Sequence, residues 1–237
     1  MSKSIKPTPG TDLSQSDEVA AFLDQVQKLP PVTPSGKRGR LVLAMDATMS
    51  RQPSWDTALA IQGSMFAETA RIGGLDVQLV YFRSFNECRA SKWSSDPQSL
   101  AKLMSGIRCL GGNTQILRVL KHLRKEAKAG KVNACIYIGD AMEENLDGLA
   151  HVAGEVGMLG VPVFMFQEGR DPVAEAGFRE IARLTRGAYF RFGADSARIL
   201  RELLSAVAVY AAGGYAALAD HSARQGGAAK LLLEQMK

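Results

Sequence analysis

A chain of 237 residues with 46% hydrophobic and 22% charged residues can bury one sizeable core, which excludes disorder throughout. Its net charge of +5 arises from 29 basic and 24 acidic residues. The one tight basic cluster, Lys37, Arg38 and Arg40, has no interleaved aromatic residues, so a solvated linker is expected there and no nucleic-acid partner. Three separated cysteines, Cys88, Cys109 and Cys135, form no CxxC pair and fit a reducing cytoplasm. No apolar run approaches the roughly 18 to 20 residues of a membrane span, and the first thirty residues hold no export-type apolar core, so a soluble, cytoplasmic protein is expected.

Residues 1–39 carry five of the nine prolines and read as a mobile arm. Within it, "SDEVAAFLDQVQKL" starts on a serine cap and places Val19, Phe22, Leu23 and Val26 on one helical face, as a short amphipathic helix that docks on the main domain or on a partner. From Leu41 onward, short apolar runs alternate with amphipathic segments. Strands are predicted at 41–46, 76–83, 132–139 and 162–167, with a weaker one at 88–93 and a short one at 188–192. Helices are predicted at 53–70, where Pro53 suits a first-turn position, and at 97–107, 115–128, 146–159, 172–185 and 195–212. Gly213-Gly214 is expected to break the last helix, leaving 213–237 as a helical C-terminal tail ending in the apolar "LLLEQMK".

Strands apolar along their whole length and separated by helices require a parallel sheet covered on both faces. The predicted fold is therefore a doubly wound α/β sandwich. In such sheets ligands bind beyond the carboxyl ends of the strands, near the point where strand order reverses. Two apolar runs end in aspartate at that rim: "LVLAMD" at Asp46 and "NACIYIGD" at Asp140.

Two carboxylates brought together repel unless a cation accompanies them. Thr48 and Ser50 follow Asp46 at alternate positions, and Thr114 follows the glycine pair in "CLGGNTQI". Thr114 also reads as a helix cap, a job Asn113 does equally well. Hydroxyls with one or two carboxylates are hard donors that suit Mg²⁺; Mn²⁺ fits the same cage, and Ca²⁺ normally gathers more carboxylates. The plainer readings are a polar loop in which Thr48 or Ser50 caps the next helix, and an Asx-turn at Asp140. Glu143 and Glu144 read either as outer groups of such a site or as acids favouring a helix N-terminus through its dipole. His122, His151 and His221 have no second ligand at useful spacing. Trp55 and Trp93 are candidates for a contact surface at the rim.

Asp46-x-Thr48-x-Ser50, then Thr114, then Asp140, in this order and on these elements, resembles the von Willebrand factor type A (VWA) domain, whose metal-ion-dependent adhesion site (MIDAS) is DxSxS, then Thr, then Asp. The resemblance covers residues 40–212 and implies a Rossmann-like sandwich, with a mostly parallel sheet and one antiparallel edge strand, here 88–93, and a divalent ion held by Asp46, Thr48, Ser50, Thr114 and Asp140. It implies binding of a partner protein, whose Glu or Asp completes the metal shell, with no catalysis. Thr48 replaces the first Ser and keeps the hydroxyl, while "AMEEN" after Asp140 departs from a common glycine. The missing export signal resembles the intracellular bacterial members. Two other functions compete. A phosphoryl-transfer enzyme would need a second acid two residues after Asp46, where Thr48 stands, and a lysine partner. A metal-independent scaffold would act through its tails.

Overall fold

Leu41 to Met45 are all apolar and all buried, so neither face of this strand meets water and it must lie inside a sheet covered on both sides. In the computed structural model, which describes residues 38–193 and 197–225, this strand is β1 (Gly39–Asp46). It lies between β2 (Leu75–Arg83) and β4 (Ala134–Gly139) and runs parallel to both. A short strand, β3 (Glu87–Ala90), pairs antiparallel with the outer side of β2, and β5 (Val163–Glu168) and β6 (Tyr189–Phe192) extend the sheet in parallel beyond β4. The order β3-β2-β1-β4-β5-β6 is a doubly wound sheet with one antiparallel edge strand, as the sequence predicts.

Alternation along β1 sends its side chains to two separate cores. Leu41, Leu43 and Met45 pack with α1 (Gln52–Thr69), α2 (Pro97–Ser105) and α6 (Ala197–Gln225), through Trp55, Met65, Met104, Leu204 and Tyr210. Val42 and Ala44 pack with α3 (Ile116–Ala129), α4 (Leu146–Met158) and α5 (Pro172–Leu184), through Leu120, Leu149 and Phe178. Burying a leucine- or phenylalanine-sized side chain stabilises by about 1.5–3 kcal/mol, so these two layers fix the strands on which the site is built.

The sequence expectations need correction in part. The edge strand ends at Ala90; beyond it the Ser91 N–H donates to the Leu79 carbonyl and Ser94 pairs with Val77. The helix break expected at Gly213-Gly214 is present, since Gly214 is non-helical at φ 72° and ψ −166°, and a second helical segment runs on beyond this kink to Gln225. The basic cluster is no linker. Arg38 pairs with Asp76 and donates to the Leu75 carbonyl, while Arg40 lies in β1, stacks over the Trp93 ring and faces Glu126. The predicted helix at 16–29, Lys37 and "LLLEQMK" fall outside the described residues.

Candidate metal centre

Strand order reverses between β1 and β4, so the chain leaves these neighbours toward opposite faces and a crevice opens at their carboxyl ends. Asp46 is the last residue of β1, and Asp140 directly follows β4. The Asp46 carboxylate accepts the Thr48 backbone N–H through Oδ1 at 2.7 Å, which folds the loop back on the strand end. Thr48 Oγ1 and Ser50 Oγ then lie 3.5 Å apart, and Ser50 Oγ donates to Asp140 Oδ2 at 2.8 Å.

The third loop arrives through Gly111 and Gly112. A side chain at 112 would overlap the Ser84 backbone, so this close approach requires glycine. Thr114 and Glu143 clasp each other: the Thr114 N–H donates to Glu143 Oε2 at 3.0 Å, and Thr114 Oγ1 accepts the Glu143 N–H at 3.1 Å. Asp46, Thr48, Ser50, Thr114 and Asp140 thus line a single cavity of about 250 Å³, together with Met49, Gly111, Gly112, Ala141 and Glu143.

Asp46 is 2% exposed, and its second oxygen, Oδ2, is buried with no hydrogen-bond partner. Burial pushes its carboxyl up to about 6, and the neighbouring Asp140 charge adds to this, against the lowering effect of the Thr48 hydrogen bonds. An unpaired buried carboxylate oxygen is costly and calls for a proton or a cation. The cavity supplies carboxylates and hydroxyls, and among the described residues no three His, Cys, Asp or Glu side chains form a metal-binding cluster. Its donor set is therefore hard and hydroxyl-rich, which fits an oxygen-seeking divalent ion with retained waters.

The capping alternatives do not hold. Neither Thr48 nor Arg51 makes a side-chain cap for the turns that follow, and the start of α3, at Gln115, has no side-chain cap from its own residue. Glu144 does that work from another loop, accepting the N–H groups of Ile116 and Leu117. Thr114 is thereby free to face the cavity. Glu144 thus serves a helix N-terminus, that of α3, and Glu143 the loop before it, while Asn145 caps α4 by accepting the Gly148 N–H.

The tryptophans do not form a rim. Trp55 is buried and donates to the Met104 carbonyl, and Trp93 packs at the amino ends of the strands, donating to Glu126. Exposed apolar side chains on the loops around the cavity include Met49, 67% exposed, Leu110, which precedes Gly111, and Phe85, 72% exposed at the tip of the β2-β3 turn, whose Ser84 backbone abuts Gly112. His122 bonds Gln78, and His221 lies 3.5 Å from Glu68. No lysine lines the cavity, and the position two after Asp46 offers a hydroxyl where a phosphoryl-transfer acid would stand.

One functional group escaped the sequence reading. Arg51, directly after Ser50, is 2% exposed; its Nη1 donates to Glu168 at the end of β5 and lies 4.0 Å from Asp140 Oδ2. Ser54 donates to the same Glu168 oxygen. An arginine at a loop-to-helix junction reads as solvated, and only the strand order brings the end of β5 beside it.

No family model and no curated protein matches the sequence, but its fold has many solved counterparts. It is similar to a von Willebrand factor type A protein from Catenulispora acidiphila, with a TM-score of 0.59 at 16% identity, covering 73% of this chain and 43% of that one. The mussel byssus proximal thread matrix protein 1, in a structure with a zinc-occupied MIDAS motif, matches with a TM-score of 0.56 at 16% identity over 73% of this chain and 48% of its own. The SpRpn10 VWA domain matches with a TM-score of 0.53 at 11% identity, over 71% of this chain and 92% of its own. The chain spans less than half the length of the first two. Among the described residues no helix is long and apolar enough to cross a membrane. With its β3-β2-β1-β4-β5-β6 sheet and these counterparts, the chain has the fold of a von Willebrand factor type A domain.

Proposed function

We propose that this protein is a metal-dependent protein-interaction module. Asp46, Thr48, Ser50, Thr114 and Asp140 would hold a divalent ion, Mg²⁺ by preference, directly or through water. A Glu or Asp of a partner protein would complete the shell. The observation that carries this reading is the Asp46 Oδ2 atom, buried and unpartnered in a cavity whose other polar walls are hard oxygen donors. A bound ion supplies Lewis-acid attraction for an incoming carboxylate. The chain's own residues set where that carboxylate arrives: Ser50 holds Asp140, and the Thr114–Glu143 clasp fixes the third loop.

The chain does no chemistry in this reading; it recognises. Three free cysteines, two of them buried, are in keeping with work in a reducing cytoplasm. The test is a pull-down with wild type and Asp46→Ala, each in Mg²⁺ and in chelator. A partner retained only by wild type with Mg²⁺ is the expected result. Equal retention in all four would overturn the reading.

A further inference from the structure

Arg51 presents an unusual balance of cost and reward. Its guanidinium is buried, yet only Nη1 has partners, while Nε and Nη2 have none. A buried cation so sparsely hydrogen-bonded is poorly explained as a structural staple, because an apolar residue of similar volume usually serves packing as well or better. What its position provides is charge. Nη1 faces Glu168 on one side and Asp140 on the other, at the end of the turn that carries Thr48 and Ser50.

We propose that Arg51 is a built-in counter-cation of the cavity. When no ion is present it offsets the repulsion between the strand-end acids and draws Asp140 toward Ser50. Because the same positive charge faces any incoming cation, it also weakens ion binding, so that the ion exchanges readily. Glu168 sets how strongly: paired with Arg51, it absorbs part of that charge and limits the repulsion. This inference rests on the metal-binding reading of the cavity, and it assigns Arg51 and Glu168 opposite effects on ion affinity.

The test measures Mn²⁺ binding by calorimetry in wild type, Arg51→Met, Glu168→Gln and the double variant, with circular dichroism checking that each is folded. Arg51→Met is expected to tighten Mn²⁺ about tenfold, Glu168→Gln to weaken it about tenfold, and the double variant to return within about threefold of wild type. Damage to a structural support would instead weaken binding in both single variants, and that outcome, or unchanged affinity in Arg51→Met, would overturn the inference while leaving the metal reading intact. If Arg51→Met does not fold, the double variant decides: binding tighter than in Glu168→Gln supports the inference, and equal or weaker binding overturns it. Binding by Arg51→Met alone would uphold the counter-cation and sink the proposed function, whereas no binding by any of the four would sink both.

Discussion

Ser50 Oγ donates a 2.8 Å hydrogen bond to the Asp140 carboxylate, joining two loops that lie 90 positions apart in sequence. This bond orients Asp140, and in the proposed function Ser50 would also be a ligand. Ser50→Ala should lose both contributions. Divalent-ion affinity, read by calorimetry, is expected to fall about 10- to 100-fold, as when an outer-shell partner is removed. The thermal midpoint without ion should move little, since the Ser50 hydroxyl is at the surface.

Asp46 gives the ion-free protein a pH dependence of unusual sign for a carboxylate. Its folded value of about 6 lies above the ordinary 3.8, so between those values the folded state keeps a proton that the unfolded chain releases. The resulting stabilisation is complete below the unfolded value and is lost as pH rises through the folded one, about 3 kcal/mol across the window. Chemical denaturation from pH 4 to 7 in chelator should show this fall, and Asp46→Asn should flatten it. Ion binding has the opposite trend, because the ligand must be deprotonated: affinity should rise with pH up to about 6 and level off above it.

Glu144 caps α3 from a different loop by accepting two of its first N–H groups. Glu144→Ala leaves those donors exposed to loss and should cost about 1–2 kcal/mol, the usual effect of a lost cap, lowering the thermal midpoint by about 4 °C. Glu143→Ala should act differently: by opening the clasp on Thr114 it is expected to weaken ion binding several-fold, on the order of 1 kcal/mol. Paired melting and calorimetry on the two variants separate the roles.

Met49 and Phe85 offer apolar contact beside the cavity, Phe85 on a turn that Gln115 ties down by donating to the Arg83 and Ser84 carbonyls. Exposed apolar side chains flanking a polar site suit the core of a protein interface. Met49→Ser with Phe85→Ser should reduce capture of an Mg²⁺-dependent partner by about tenfold or more, on the order expected for interface anchors, while leaving Mn²⁺ affinity within about twofold of wild type. Loss of ion binding in this variant would contradict the separation of the two surfaces.

Much of the fold was legible in the sequence because burial on both faces leaves an unmistakable pattern. β1, β4 and β5 read as largely apolar runs and β2 as an apolar run interrupted by Asp76 and Gln78, and the five oxygen-bearing side chains stood at strand ends and loop starts. The boundaries of weak elements were not legible. The edge strand ends at Ala90, where the sequence pattern runs on to 93, and the chain resumes as helix after the Gly214 kink as far as Gln225. The tryptophans misled as well: large apolar rings are placed by the volume available in the core, and nothing local in sequence reports that volume.

By itself the sequence determined the class of fold and the chemistry of the site, since apolar periodicity and hard oxygen donors are properties of the residues. The partners of those residues were decided by tertiary structure. Arg51 meets Glu168 and Asp140 because the strand order β1-β4-β5 sets the loops after those strands side by side, and Glu144 caps α3 and Thr114 clasps Glu143 because the loop before α3 folds against the loop after β4. Coulomb attraction and hydrogen bonding depend on distance in space, and for groups far apart along the chain that distance exists only once the sheet has formed.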